Sequence, residues 1–221
     1  MPLGLICYTL GTMLTNLTGL QIVFVLISLV IAMSIHEAMH AFTSHWLGDT
    51  TAEEQGRLTL NPLKHIDPVM TILLPAVSFI LFHIPVMAAK PVPFNPNRVK
   101  HEEFGVALIG LAGPLTNLVL AGIGALLFRL IPGFSNNVSD FLVIFVLINI
   151  ALFIFNMIPF PPLDGSRVLY AFAPEPVQKV MFSIERLGFS AILIFVFFIY
   201  QFIGPVIGNL NEHLLHLLIG I

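Results

Sequence analysis

Residues 20–47 are apolar enough to cross a lipid bilayer, yet they include His36, Glu37 and His40. A helix of about 20 apolar residues spans the hydrocarbon core of a membrane, so this stretch is long enough to cross it. Ionisable side chains inside a membrane are costly unless other groups or an ion compensate for them. This one stretch therefore indicates a membrane-spanning helix with a polar site built into it.

The three ionisable residues form the pattern His-Glu-x-x-His between positions 36 and 40. On a helix, His36 and His40 lie one turn apart on one face, where two imidazole nitrogens can bind one Zn²⁺ ion. Glu37 lies next to that face and can take a proton from a water molecule at the metal. In the alternative interpretation, the three residues are buried polar groups that pair across helices.

A catalytic zinc ion has three protein ligands and one open position, so a third ligand is needed. His45 lies about 140° around the helix from His40 and is expected at the surface or between helices. Asp164 follows an apolar stretch whose end is unwound by prolines, so its carboxylate can turn back toward the metal. Its Asp-Gly pair could instead form only a turn. Glu53 or Glu54 is the second candidate for the third ligand.

The composition is that of a membrane protein. Hydrophobic residues make up 57% of the 221 residues and charged residues only 10%, whereas about a quarter of the residues in a soluble domain are charged. The net charge of −3 is carried by scattered residues, which argues against a nucleic-acid partner. Because no long polar linker interrupts the sequence, residues 1–221 are predicted to form a single domain embedded in the lipid bilayer.

The hydrophobic pattern predicts an all-α integral membrane protein, a polytopic helical bundle with about four to six membrane segments. After the first span, the predicted membrane helices cover residues 104–131, 141–158 and 187–206. Residues 69–89 are apolar but contain Pro75 and Pro85, which predicts a small extended or re-entrant element between the first and second main spans. Residues 1–18 are expected to form an interfacial or short membrane-entering segment.

Two further segments are expected at the membrane surface. Residues 49–68 are the most polar part of the chain and are predicted to form a loop or short strands. Residues 209–221 resemble an amphipathic segment that carries His213 and His216. These two histidines could form another metal site, but their alternation with leucines favours a position on the solvent-facing side of an interfacial helix.

Four motifs, taken in order, resemble those of the site-2 proteases, a family of intramembrane zinc metalloproteases. They are HEAMH at 36–40, NPLKHIDP at 61–68, AGPLTN at 112–117 and NMIPFPPLDG at 156–165. The resemblance covers residues 30–170 and implies that His36, His40 and Asp164 bind Zn²⁺. It also implies that Glu37 is the catalytic base and that Asn156 assists the substrate carbonyl. Members of the family often carry a PDZ or CBS domain, for which residues 1–221 leave no room, so the chain resembles a short form.

Asn156 has two interpretations on chemical grounds. Its side-chain amide can donate a hydrogen bond to a developing oxyanion. Alternatively, it forms an interhelical hydrogen bond, as polar residues in membrane helices often do. Asn117 has the same two interpretations, with the structural one favoured.

The proposed ligands also constrain the topology. If one zinc ion joins them, the helices at residues 20–47 and 141–158 run in the same direction and the helix at residues 104–131 runs in the opposite one. Most cationic residues then lie on the face that holds the site, and Arg129 alone lies opposite; those on the site face are Arg57, Lys64, Lys90, Arg98, Lys100, Arg167, Lys179 and Arg186. By the positive-inside rule, the active site of this multi-pass protein faces the cytoplasmic side of the cell membrane.

The sequence thus predicts an intramembrane zinc metalloendopeptidase that hydrolyses transmembrane or membrane-associated proteins. A transmembrane substrate must be unwound before cleavage, because a helix hides its own peptide bonds. Residues 90–96, which prolines keep extended, could pair with such a strand, or could be a plain loop. The alternative function is a metal or proton transporter that uses the same His, Glu and Asp cluster, although no internal repeat is apparent. No oligomeric state is predicted.

Overall fold

The computed structural model describes residues 18–65, 92–131 and 135–220. These residues form α1 (Gly19–Trp46), α2 (Thr51–Glu54), α3 (Glu102–Leu130), α4 (Asn136–Asn156), α5 (Asp164–Phe172), α6 (Glu175–Glu185), α7 (Phe189–Ile194) and α8 (Tyr200–Ile219). Single-turn 3₁₀ helices lie at Pro62–Lys64 and Pro96–Arg98. The described residues include no β-strand, which confirms the predicted all-α class.

Three of these helices, α1, α3 and α4, are long and apolar enough to cross a membrane, with 28, 29 and 21 residues. They confirm the predicted spans at residues 20–47, 104–131 and 141–158, although α4 begins earlier, at Asn136. The shortest, α4, is about 30 Å long, which matches the hydrocarbon thickness of a bilayer. The predicted segment at residues 69–89, and all of the predicted segment at residues 1–18 except Thr18, lie outside the described residues.

The prediction for the C-terminal part is wrong in its boundaries. No single helix covers residues 187–206, because α7 ends at Ile194 and a π-helical stretch, Phe195–Ile199, separates it from α8. The helix α8 then continues to Ile219 without the predicted division near residue 209. Packing accounts for the irregular stretch, since the buried Phe195 ring contacts the rings of Phe155 and Phe160 at centroid distances of 5.9 and 5.0 Å.

Hydrogen bonds near the helix starts establish the direction of the spans. A capping box formed by Thr18 and Gln21 begins α1. The Gln21 amide also donates to Asp140 in the first turns of α4, at 3.2 Å. The N-terminal ends of α1 and α4 therefore lie together, so these two helices run in the same direction, as the topology argument predicted.

The helix α3 lies at the centre of the bundle and packs against α1, α4 and α5. Small residues allow the close approach. A Cβ atom at Gly124, for example, would lie only 2.9 Å from a methyl carbon of Val146 on α4. The main apolar core lies between α3, α4 and α8, and its buried residues are Ala121, Ala125, Val146, Ile150, Ile154 and Ile219.

A polar surface layer, formed by residues 47–65 and 92–101, covers the C-terminal end of α1. The Lys100 amide donates to the Leu47 carbonyl at 2.9 Å, and the Arg98 guanidinium pairs with Glu54 at 3.0 Å. The described part of residues 49–68 contains α2 and a 3₁₀ turn, so the loop prediction holds here and the prediction of short strands is wrong.

Asp49 joins the two parts of this layer. Its side chain is fully buried and accepts hydrogen bonds from the Ser44 hydroxyl at 3.0 Å, the Thr51 hydroxyl and amide at 2.5 and 3.1 Å, and the Asn95 amide at 2.8 Å. Burial alone would raise the pKa of Asp49, but these donors outweigh it and hold the pKa below its usual value of 3.8. The ionised carboxylate is therefore the form that stabilises the fold.

We expect Asp49→Asn to lower the free energy of unfolding by at least about 2 kcal/mol at neutral pH, because buried donors lose a charged acceptor. Since the folded pKa is lowered, the stabilisation is complete above the unfolded value near 3.8 and disappears as the pH falls through the folded value. The difference between wild type and variant should therefore shrink below about pH 4. Thermal unfolding in detergent micelles, followed by circular dichroism at several pH values, measures this difference.

Glu53→Gln is the matched control, because Glu53 is a half-exposed carboxylate that pairs with His45 at 3.2 Å. Such exposed pairs contribute less than about 1 kcal/mol. An Asp49→Asn variant as stable as the Glu53→Gln variant at pH 7 would contradict the role given to Asp49.

Candidate metal centre

Two histidines from α1 and one aspartate from α5 meet inside the bundle. His36 Nε2 lies 3.1 Å from Asp164 Oδ2, and His40 Nε2 lies 3.2 Å from the same oxygen. The two Nε2 atoms are 3.1 Å apart. Both imidazoles are buried. The structure therefore brings together the three residues that the sequence suggested as metal ligands.

The two histidines lie well inside the span. They are ten and six residues before Trp46, where α1 ends, which places them about 15 and 9 Å along the helix from that end. Their spacing of four residues puts both rings on the face of α1 that meets α3. The cluster is therefore near the surface layer but enclosed by membrane-spanning helices.

Asp164 reaches this depth because the chain turns sharply after α4. It is the first residue of α5, and the turn requires glycines on both sides. A Cβ atom at Gly165 would overlap the Met157 carbonyl, and one at Gly110 of α3 would lie 2.9 Å from the Asp164 carbonyl oxygen. The predicted unwinding of the chain between residues 157 and 163 thus positions the third side chain against α3.

Each imidazole is oriented by the ring nitrogen that faces away from the cluster. Nδ1 of His36 lies 2.5 Å from Asn117 Oδ1, and Nδ1 of His40 lies 2.6 Å from the Ile109 carbonyl. Both partners are acceptors, so each Nδ1 carries a proton, and in the neutral imidazole each Nε2 then has a free electron pair. The two imidazoles are therefore in the form that binds a metal ion.

This donor set fits a zinc ion. With both imidazoles neutral, these atoms are three acceptors at 3.1–3.2 Å from one another, an arrangement that a cation among them stabilises. In a tetrahedral site with metal–ligand distances of about 2.0–2.1 Å, the ligand atoms are about 3.3 Å apart. Two imidazole nitrogens and one carboxylate oxygen also match the three-ligand pattern of catalytic zinc.

Gly113 of α3 forms the wall behind the two imidazoles. A Cβ atom at this position would overlap His40 Nε2 and would lie 2.6 Å from His36 Nε2. Only a glycine leaves both nitrogens in place. The AGPLTN motif therefore contributes a backbone surface as well as the Asn117 side chain.

Glu37 is held from the surface layer. Its Oε2 accepts a hydrogen bond from the Val92 amide at 3.2 Å, and the residue is 9% exposed. Val92 lies between two prolines, so its amide is the single backbone donor of the three residues 91–93. Glu37 also interacts electrostatically with Arg57. Burial lowers the pKa of the Arg57 guanidinium, and the negative charge of Glu37 acts in the opposite direction.

Other predicted residues lie outside the cluster. The Asn156 amide donates to the Leu152 carbonyl one turn earlier, at 3.0 Å. Glu53 pairs with His45 and Glu54 pairs with Arg98, and all four side chains are about half exposed. The alternative third ligands are therefore at the surface, and so is His45, as expected.

Sequence reasoning missed several groups that support the site. They are the carbonyl of Ile109, the amide of Val92, the buried Arg57 and the buried Asn149, which bonds Asn117. Backbone groups leave no trace in a sequence pattern. Asn149 did give a signal, because it is an amide in the middle of a strongly apolar span.

Comparisons with known proteins point to one family. The model of Peptidase family M50 matches residues 132–199, which include Asn156 and Asp164. Relatives named "Putative zinc metalloprotease" include YwhC of Bacillus subtilis, which is 36% identical over 179 residues, or 77% of this chain and 78% of the relative. Rip2 of Mycolicibacterium smegmatis is 26% identical over 178 residues, or 78% of this chain and 66% of the relative. Rip2 of Mycobacterium tuberculosis is 26% identical over 188 residues, or 85% and 69%. No solved structure matches the chain.

We expect Gly113→Ala to lower the bound metal at least about 10-fold, because the added methyl group occupies the space of the two ligand nitrogens. Gly122→Ala is the matched control on the same helix, since a Cβ atom there meets nothing within 4 Å. Elemental analysis of both purified variants beside the wild type measures the metal per chain. Equal metal content in the two variants would contradict the packing described for Gly113.

Proposed function

The chain belongs to peptidase family M50, the site-2 proteases, and on this basis we propose that it is an intramembrane endopeptidase for transmembrane or membrane-associated proteins. Membership of this family makes the chain a membrane zinc metallopeptidase. The observation that carries the proposal is the convergence of His36, His40 and Asp164 within the helical bundle. We also propose that residues 1–221 form a single membrane-embedded metalloprotease domain.

The three converging side chains would hold the metal through His36 Nε2, His40 Nε2 and Asp164 Oδ2. When bound, Zn²⁺ supplies Lewis-acid polarisation of the scissile carbonyl and lowers the pKa of water at the site. The protein encloses this chemistry between α1, α3 and α5. The low-dielectric surroundings strengthen every charge interaction there.

Glu37 is the proposed general base. Its Oε2 is engaged by the Val92 amide, so Oε1 is the oxygen available to take a proton from the attacking water. The same carboxyl group then protonates the leaving amine, which completes hydrolysis without a second acid. Support for this role comes from the position of Glu37, directly after His36 and three residues before His40, and from its backbone donor, which fixes the orientation of the carboxylate.

Asn156 is the proposed donor to the oxyanion of the transition state. Its Nδ2 bonds the Leu152 carbonyl at the last turn of α4. The donor role requires a side-chain rotation, or the use of the second Nδ2 proton, when substrate is bound. A side-chain amide aimed at developing charge contributes a factor of about 10²–10³ in rate.

The active site is proposed to face the cytoplasm. The cationic residues of the surface layer lie at the same end of the bundle as the histidines, whereas Arg129 is in the last turn of α3, at the opposite end. This asymmetry follows the positive-inside rule. Water would then reach the site from the cytoplasmic side, and a transmembrane substrate would have to unwind to expose its peptide bonds there.

The function is tested with purified protein in detergent. The substrates are fluorescein-labelled casein, which is already extended, and a single-span protein with a helix-breaking Gly-Pro pair in its span. We expect Glu37→Gln to lower cleavage by about 10²–10⁴-fold with zinc retained, because the amide cannot accept the proton. Asp164→Ala should lose both zinc and cleavage. If Glu37→Gln cleaved at the wild-type rate, or the zinc-loaded wild type cleaved neither substrate, the proposal would fail.

A separate prediction concerns Asn156. We expect Asn156→Leu to lower kcat by about 10²-fold while the zinc content stays near that of the wild type, because the residue assists the substrate carbonyl and not the metal. Single-turnover kinetics and elemental analysis on the same preparation separate the two quantities. Unchanged kcat would leave Asn156 with an interhelical role only.

A further inference from the structure

Two asparagines lie side by side in the apolar interior of the bundle. Asn117 of α3 and Asn149 of α4 are both fully buried, and Asn117 Nδ2 donates to Asn149 Oδ1 at 2.9 Å. Amide groups in such surroundings are costly unless their hydrogen bonds are satisfied. The helix α4 supplies no atom to the cluster of His36, His40 and Asp164, so Asn149 needs another explanation.

The hydrogen bonds determine on which side each side-chain amide places its nitrogen and on which side its oxygen. Asn149 Nδ2 donates to the Phe145 carbonyl at 2.8 Å. Since a carbonyl oxygen only accepts, the nitrogen of Asn149 must face Phe145 and its oxygen must face Asn117. The backbone of α4 therefore determines which way the Asn149 side chain points.

The orientation of the Asn149 side chain in turn determines that of Asn117. Its Nδ2 faces two acceptors, Asn149 Oδ1 at 2.9 Å and the Ala32 carbonyl at 3.4 Å. A flipped amide would place its oxygen against both of them. Asn117 Oδ1 therefore points at His36 Nδ1, at 2.5 Å, and can only accept its proton. His36 Nε2 is then left with a free electron pair toward the metal site.

His40 shows why this relay is needed. Its Nδ1 donates directly to the Ile109 carbonyl at 2.6 Å, and a backbone carbonyl in a helix cannot exchange donor for acceptor. His36 is held instead by a side-chain amide, which has two orientations of opposite hydrogen-bonding character. Only one of these leaves His36 able to bind a metal through Nε2.

We propose that Asn149 is a positioning residue for the metal centre, which acts through Asn117 to fix the tautomer and orientation of His36. The inference rests on the zinc site of the proposed function and adds a residue that bonds the partner of a proposed ligand and not the ligand itself. The relay of Phe145, Asn149, Asn117 and His36 thus connects the backbone of α4 to a ligand on α1.

The first test measures zinc affinity of the full chain in detergent, by competition with a chromophoric chelator. We expect Asn149→Leu to weaken zinc binding by about 10- to 100-fold, the range seen when a partner of a ligating histidine is removed. Asn149→Asp should retain most of the affinity, because a neutral carboxyl group offers the same donor to Phe145 and acceptor to Asn117.

Asn156→Leu is the matched control. Asn156 lies on the same helix and makes the same kind of bond to the carbonyl four residues earlier, at 3.0 Å. We expect its zinc affinity to equal that of the wild type, even though its turnover is expected to fall. Equal zinc affinity in the wild type and Asn149→Leu, or an equal loss in Asn149→Leu and Asn156→Leu, would overturn the proposal.

A second readout needs no metal and no substrate. In the zinc-free protein with ¹⁵N-labelled histidine, the side-chain ¹⁵N shifts report which ring nitrogen carries the proton. At a pH that keeps both imidazoles neutral, we expect Asn149→Leu to change His36 from the Nδ1–H form to a mixture, while His40, bonded to the Ile109 carbonyl, stays unchanged as an internal reference. Changes at both histidines would indicate general disturbance and would overturn the proposal. A wild type that shows the expected tautomers but cleaves nothing would refute the proposed function and leave the relay standing.

Discussion

Three electron pairs converge at one point in an apolar bundle, and most of the structure can be understood as the means of holding them there. Nε2 of His36, Nε2 of His40 and Oδ2 of Asp164 lie within 3.2 Å of one another. With both imidazoles neutral and no cation present, these electron pairs would repel one another. The Nδ1 bonds, the bare backbone at Gly113 and the tight turn before α5 all oppose that tendency, so the site is shaped for a cation before one arrives.

The proposed metal ligands and the proposed base, Glu37, are oriented by different parts of the structure. The histidines are oriented from within the membrane, by groups on α3 and α4. Glu37 is oriented from the surface layer, through the Val92 amide, and that layer is attached to α1 by the hydrogen bond from Ser44 to Asp49. A disturbance at the membrane surface can therefore change the orientation of Glu37 without displacing the two histidines.

The sequence predicted the parts of this site that depend on side-chain type and spacing. His36 and His40 follow from helical periodicity, and Asp164 follows from the prolines that end α4. The sequence did not reveal contacts made by backbone groups, such as the Ile109 carbonyl, because every residue has them. It also missed the π-helical stretch before α8, since the packing of Phe195 on Phe155 and Phe160 involves residues far apart in the chain. Asn149 was visible as a polar residue in an apolar span, but its partner was not.

The order of the ligands along the chain has a consequence for biogenesis. His36 and Asp164 are separated by 128 positions, and within the described residues two helices long enough to span a membrane, α3 and α4, lie between them. When the first helix enters the bilayer during synthesis, it carries two imidazoles and a carboxylate without the third ligand. The full donor set is assembled only after α4 has been inserted and α5 has left the ribosome, so the three-ligand site cannot form before then.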